Sequence, residues 1–311
     1  MSTVKNYLSL IRFSHTIFAM PFAMIGFALG VISKIQWNLN MTIGWGHYID
    51  VWDIGLFVLV ILCMIFARSA AMAFNRYLDA RWDALNPRTA IREIPRGIIS
   101  KDSALRFVIF NCAAFIVCTW FINPLCFALS FVALAVVLGY SYTKRFTPLC
   151  HLVLGLGLSL APIGAYLAVA GHFALLPILF SLAVIFWVSG FDIIYALQDE
   201  DFDKSHQLYS MPAWLGKARA LHVSEFLHAL SVLCVVFAGL GGFGWWYWIG
   251  VAVFMGMLIY QHAIVKPNDL SRVNLAFMTA NGIASVVFAV FVIADICVTM
   301  SKWSGMLMRM K

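Results

Sequence analysis

Nine stretches of predominantly apolar sequence, each close to the roughly 20 residues a helix needs to cross a bilayer, constrain this chain more than any motif does. They fall near 16–33, 54–75, 105–122, 124–142, 150–170, 175–196, 222–239, 245–262 and 276–297. Within lipid every backbone N–H and C=O must be satisfied inside the chain, so these stretches predict helices. Only 11% of the 311 residues are charged and 63% are apolar, against about 25% charged in a soluble domain. Little sequence remains for anything else, and 1–311 reads as a single all-α, polytopic membrane domain.

The formal charge of +7 does not mark a nucleic-acid binder, because Lys and Arg sit between the apolar stretches and form no basic face. With the N-terminus in the cytoplasm, the N-terminal arm and even-numbered loops hold 16 of the 21 basic residues. That asymmetry predicts N-terminus in and C-terminus out, and the expected setting is a bacterial inner membrane. The first stretch lacks a small-residue cleavage site and is expected to stay as a membrane helix. All seven Cys lie singly in apolar stretches, with no spacing for a metal site or a disulfide framework.

Nine of the 14 acidic residues gather in two places on the same, cytoplasmic, side: Asp79, Asp83, Glu93 and Asp102, then Asp192, Asp199, Glu200, Asp201 and Asp203. On a helix, Asn75, Asp79 and Asp83 stand at i, i+4 and i+8, so their oxygens line one stripe about 6 Å apart along the axis. Asp199 and Asp203 repeat the i, i+4 spacing, and Asp192, one heptad earlier, is expected on the same stripe. One D-x-x-x-D reads equally well as solvated loop charge. Two at one membrane depth, in a chain so poor in acids, favour a clamp in which Mg²⁺ bridges carboxylates to a diphosphate.

Guanidinium groups bind phosphate oxygens bidentately. Arg88 and Arg92, in the segment N-P-R-T-A-I-R-E-I-P-R-G, and Lys144 and Arg145, at the end of the fourth stretch, are therefore candidate diphosphate ligands, with positive-inside anchoring as the alternative. Anchoring is the expected role of Arg106, Lys217, Arg219, Lys266 and Arg272.

Taken together, these residues resemble the UbiA superfamily of intramembrane aromatic prenyltransferases. The resemblance rests on the N-R-Y-L-D-A-R-W-D run from Asn75 to Asp83, on R-T-A-x-R-x-x-P-x-G at Arg88 to Gly97, and on Y-A-x-x-D at Tyr195 to Asp199 with Asp203 beyond it. Tyr142, Lys144 and Arg145 match more loosely. Arg76 stands where the common motif has its first Asp, a departure similar to the 4-hydroxybenzoate polyprenyltransferase-like branch. It makes Arg76 a phosphate contact and leaves Asn75 on the metal side. The resemblance implies nine helices, as two four-helix bundles plus one, around a central cavity with a polar cytoplasmic cap and a lateral opening to lipid. It implies Mg²⁺-dependent transfer of a polyprenyl chain from its diphosphate to a small aromatic acceptor, 4-hydroxybenzoate or alternatively a dihydroxynaphthoate.

Three deeper residues are candidates for catalysis. Asp192, with Tyr195 beside it, either orients or deprotonates the acceptor hydroxyl or is a hydrogen-bonded structural acid. Arg68, two turns below Asn75 on the same face, needs an anion: an acceptor carboxylate, for which Arg12 competes, or an internal acid such as Asp192. His15 and His262 lack a second ligand at i+3 or i+4, and Asp295 lies toward the opposite face, so none of these is expected in the chemistry. Two rival classes are disfavoured. A CDP-alcohol phosphotransferase carries its acids in one continuous run, and a cation transporter places ion sites at the midplane in broken helices.

Overall fold

Among the described residues the apolar stretches form helices. The computed structural model describes the backbone of residues 3–11, 18–40 and 51–308. A short amphipathic helix, α1 (Thr3–Leu10), precedes α2 (Met20–Asn40), α3 (Val51–Leu85), α4 (Lys101–Ile122), α5 (Pro124–Thr143) and α6 (Cys150–Ala170). Then come α7 (Leu175–Ala196), a 3₁₀ turn (Leu197–Asp199), α8 (Glu200–Ser205), α9 (Met211–Leu215), α10 (Lys217–Gly239) and α11 (Trp245–Ile264). A π-helical turn at Leu275–Ala280 leads into α12 (Asn281–Met308). Among the described residues eight helices are long and apolar enough to cross a membrane, and α2 contributes a shorter apolar stretch, Met20–Gln36.

Local sequence sets the ends of these helices. Ser100 caps α4 by accepting from the Ser103 N–H at 3.1 Å, and Asn123 caps α5 by accepting from Cys126 N–H at 2.8 Å, with Pro124 at the first helical position. Such caps contribute about 1 kcal/mol each. The Asn123 amide also donates to Leu167 O at 2.9 Å, tying the α4–α5 turn to the end of α6. There Gly171 closes the helix in the left-handed region at φ +69°.

Neighbouring helices pack together: α3 with α4 and α5, α5 with α6, α6 with α7, α7 with α10, α10 with α11, α11 with α12, and α12 with α2. Helix α2 also lies along α6. That approach depends on Gly26 and Gly30, one turn apart. A Cβ at Gly26 would meet Pro162 O at 2.0 Å, and one at Gly30 would meet the Val169 Cβ at 2.8 Å. Small residues at a one-turn interval are what allow membrane helices to touch at backbone distance.

Helix α7 is the most enclosed part. Phe180, Val184, Trp187 and Phe191 are all buried in one core with Phe22 and Phe254. Trp187 Nε1 donates to Asn281 Oδ1 at 2.8 Å, and Gln261 Nε2 donates to the same oxygen at 2.8 Å, so α7, α11 and α12 share one polar tie. By contrast Phe110, Trp120 and Phe121 on α4 and Phe226 and Phe237 on α10 are exposed, as outward faces in a hydrocarbon solvent should be.

Candidate active site

Helix α3 continues about three turns beyond its apolar part, and this extension carries the first acidic cluster. The Asn75 amide donates to Asp79 Oδ2 at 3.1 Å, one helical turn on. Asp79 Oδ1 lies 3.8 Å from Arg145 Nη2. Asp83 Oδ1 receives Arg92 Nη1 at 2.5 Å, while its buried Oδ2 has no hydrogen-bond partner and lies 3.9 Å from Arg76 Nη1.

Past α3 the chain turns through residues 86–99 and reaches the second cluster. Asn86 Nδ2 donates to Asp199 Oδ1 at 3.2 Å, and Arg88 Nε donates to the same oxygen at 3.0 Å while its Nη2 holds Oδ2. The same guanidinium donates through Nη1 to the Tyr195 hydroxyl at 2.9 Å. Burial works to lower the Arg88 pKa, but the Asp199 and Tyr195 contacts outweigh it and hold the pKa above the usual arginine value. The two acidic clusters, more than a hundred residues apart in sequence, are thus bridged through Asn86 and Arg88.

The second cluster departs from the single stripe expected of it. Helix α7 ends at Ala196 and the 3₁₀ turn re-aims the chain beyond it, so the three aspartates face different partners. Asp192 meets His151 on α6, Nδ1 to Oδ2 at 2.7 Å. Asp199 meets the 86–99 segment. Asp203 is fully buried, ion-paired with Lys144 Nζ at 2.7 Å and accepting from Ser210 Oγ at 2.8 Å. Burial also works to lower the Lys144 pKa, but Asp203, with help from Asp199, overcomes it and raises the group above the ordinary lysine value.

A cavity of about 280 Å³ collects these groups. Asn75, Arg76, Asp79, Asp83, Arg88, Arg92, Lys144, Arg145, Asp192, Tyr195, Asp199 and Arg68 all line it; Asp203 does not, standing behind Lys144. Arg145 lies over the rings of Trp82 and Tyr142 at 4.6 and 5.1 Å, a stacking that orients its guanidinium. Away from the acidic clusters the lining turns aromatic. Tyr195 packs on Phe277 of the π-helical turn with ring centres 4.3 Å apart, and Phe277 in turn meets Phe18 and Phe191.

A second chamber of about 340 Å³, lined almost wholly by apolar side chains of α3, α4, α5 and α6, adjoins the first. The two share Arg68, Met72, Tyr140, Leu154 and Leu158 as lining. Arg68 therefore stands at the border between polar and apolar space. It has no ion-pair partner among the described residues, and its buried Nε has no hydrogen-bond partner. Pairing with Asp192 is not what the structure shows, since Asp192 turns to His151.

Arg12 and His15 lie outside the described residues. His262 pairs with His228 at 2.9 Å between α10 and α11, and Asp295 accepts from Gly244 N–H at 2.8 Å; neither lines either cavity. Sequence reasoning missed His151, Asn86 and Tyr140. No local spacing marks them, because the partners of the first two are 41 and 113 residues away. Among the described residues no three His, Cys, Asp or Glu side chains converge into a closed metal cage.

Residues 19–283 match the model of the UbiA prenyltransferase family. The chain is similar to 4-hydroxybenzoate octaprenyltransferases: 31% identical to that of Aeromonas salmonicida, over 77% of this chain and 82% of the relative, and 29% identical to that of Citrobacter koseri, with the same coverage. Its fold is similar to the structure of a UbiA homologue from Aeropyrum pernix (TM-score 0.73, 30% identity, 92% of this chain and 98% of the other). It also superposes on a homologue from Archaeoglobus fulgidus solved with DMAPP and Mg²⁺ (TM-score 0.71, 22% identity, 94% and 99%). On the match along most of its length, joined to a polar mouth opening onto an apolar chamber, the chain belongs to the UbiA prenyltransferase family.

Proposed function

We propose that this chain, acting as one membrane domain over residues 1–311, transfers a polyprenyl group from its diphosphate to a phenolic aromatic acid such as 4-hydroxybenzoate. The observation that carries the reading is the junction of the two cavities. A prenyl diphosphate has a highly charged head and a long hydrocarbon tail, and here a cavity ringed by basic and acidic side chains opens onto an apolar one.

Arg76, Arg88, Arg92, Lys144 and Arg145 supply the donors for diphosphate oxygens. Asn75, Asp79, Asp83, Asp199 and Asp203 are the oxygen donors for Mg²⁺, with Asp203 reaching the site only if Lys144 yields it. The lack of a closed cage fits this ion, which takes one or two carboxylates and completes its shell with water and phosphate oxygens. The buried Oδ2 of Asp83, which has no hydrogen-bond partner, fits it too. Mg²⁺, when bound, neutralises charge on the departing pyrophosphate.

The chain's own residues do the rest. Phe18, Phe191, Tyr195 and Phe277 keep water from the reacting carbon and offer ring faces to positive charge. Arg68 receives the acceptor carboxylate where polar and apolar space meet, which places the phenol ring next to the allylic carbon. Asp192 faces the acceptor hydroxyl. The active mouth lies at the cytoplasmic face of a bacterial inner membrane, with the N-terminus inside and the C-terminus outside; the clustering of basic residues on that side supports this orientation.

The purified protein incubated with a radiolabelled prenyl diphosphate and a panel of phenolic acids should form prenylated product only with Mg²⁺ present. Chelation with EDTA should abolish turnover, and Mg²⁺ should restore it. Turnover unchanged in chelator would remove the reading.

A further inference from the structure

His151 was not among the residues singled out from the sequence, yet it makes the tightest contact to Asp192. Its Nδ1 lies 2.7 Å from Asp192 Oδ2, and its Nε2 lies 3.3 Å from the backbone nitrogen of Met211 at the start of α9. A backbone N–H can only donate, so Nε2 must present its lone pair to Met211. The proton therefore sits on Nδ1 and is donated to Asp192. One peptide group thus fixes the tautomer. The carbonyl of His151 accepts from Ser189 Oγ at 3.1 Å on α7, which anchors this part of α6 close to the helix that carries Asp192.

The consequence falls on Asp192. Its Oδ2 is committed to the imidazole, whereas Oδ1 has no hydrogen-bond partner among the described residues, and the side chain is 25% exposed within the cavity. Resting on the functional reading above, we propose that His151 is a positioning residue: in its Nδ1–H form it holds the Asp192 carboxylate with Oδ1 aimed into the cavity, to take the proton of the acceptor hydroxyl.

In that step the phenol O–H proton passes to Asp192 Oδ1. The electron pair on oxygen feeds the ring carbon beside it, which bonds to the allylic carbon as the bond to the diphosphate oxygen breaks and its pair leaves with pyrophosphate. The ring carbon then loses its hydrogen to a pyrophosphate oxygen, and Asp192 returns its proton to the phenol oxygen. One proton leaves with pyrophosphate, and Asp192 ends as it began. His151 stays neutral throughout, since both of its nitrogens are engaged by the protein.

The test uses the full chain, radiolabelled prenyl diphosphate and 4-hydroxybenzoate. His151→Ala should lower kcat on the order of 10- to 100-fold, as loss of positioning does, and leave the KM for the prenyl diphosphate unchanged. His151→Asn should recover most of the loss, because its amide nitrogen falls where Nδ1 was. Asp192→Asn should be at least as slow as His151→Ala, and the double variant no slower than Asp192→Asn alone, since His151 acts through that carboxylate. Losses that multiply in the double variant, or an Asn variant as slow as Ala, would overturn the role. The ¹⁵N spectrum of labelled histidine should show Nδ1 of His151 protonated and Nε2 bare in the wild type, and the opposite tautomer would overturn it whatever the kinetics. Absence of turnover with every phenolic acid in the wild type would instead defeat the functional reading and with it this use of the dyad, while the tautomer assignment would stand.

Discussion

On the proposed reading, acceptor choice turns on Arg68. A guanidinium at the border of two cavities, without an ion-pair partner among the described residues, is costly unless an anion arrives. Arg68→Leu should raise the acceptor KM by about 10- to 100-fold, the scale of one charge-assisted hydrogen bond, with little change in the KM for prenyl diphosphate. Steady-state kinetics with each substrate varied in turn checks this, and unchanged acceptor kinetics would count against it. The acidic and basic residues were legible in the sequence because each type is scarce in this chain and their spacing is helical. Their pairings were not. That Asp192 would choose His151, or that Lys144 would cover Asp203, depends on contacts between segments that no local pattern encodes.

At the scale of elements, the limits of α6 (Cys150–Ala170) and α7 (Leu175–Ala196) come directly from hydropathy and flanking breakers, including Gly171 after the first. Helix α3 outruns its apolar stretch by ten residues, because Asn75 to Leu85 keeps helical spacing after its composition turns polar. The 3₁₀ turn after α7 was not legible, since nothing in Leu197–Asp199 disfavours ordinary helix. The α2–α6 contact yields a prediction in which two principles oppose. Propensity alone favours Ala over Gly in a helix by about 1 kcal/mol, yet a Cβ at Gly26 would overlap Pro162 O. Gly26→Ala should therefore destabilise by about 1–3 kcal/mol through overpacking. Gly256→Ala on α11, where a Cβ meets nothing within 4 Å, should be neutral or stabilising. Thermal unfolding of the two variants in the same detergent decides it.

For the whole molecule, the proposed reading makes the apolar chamber the limit on how long a prenyl tail can be housed. Gly164 lines it, and a Cβ there meets nothing within 4 Å, so a larger side chain has room to project inward. Gly164→Phe should shift products toward shorter prenyl chains when mixed lengths are offered, read by mass spectrometry, and an unchanged distribution would place the tail elsewhere. The ion pairs at the mouth also span the molecule: Arg145 with Asp79 joins the end of α5 to α3, Lys144 with Asp203 joins it to α8, and Arg88 with Asp199 joins the 86–99 segment to the turn after α7. Each cation proposed to meet an arriving headgroup thereby has an acid to return to when pyrophosphate departs. On the proposed reading, product leaves without stranding a bare guanidinium or ammonium beside lipid, and the protein's own acids serve as the competing ligands that allow turnover.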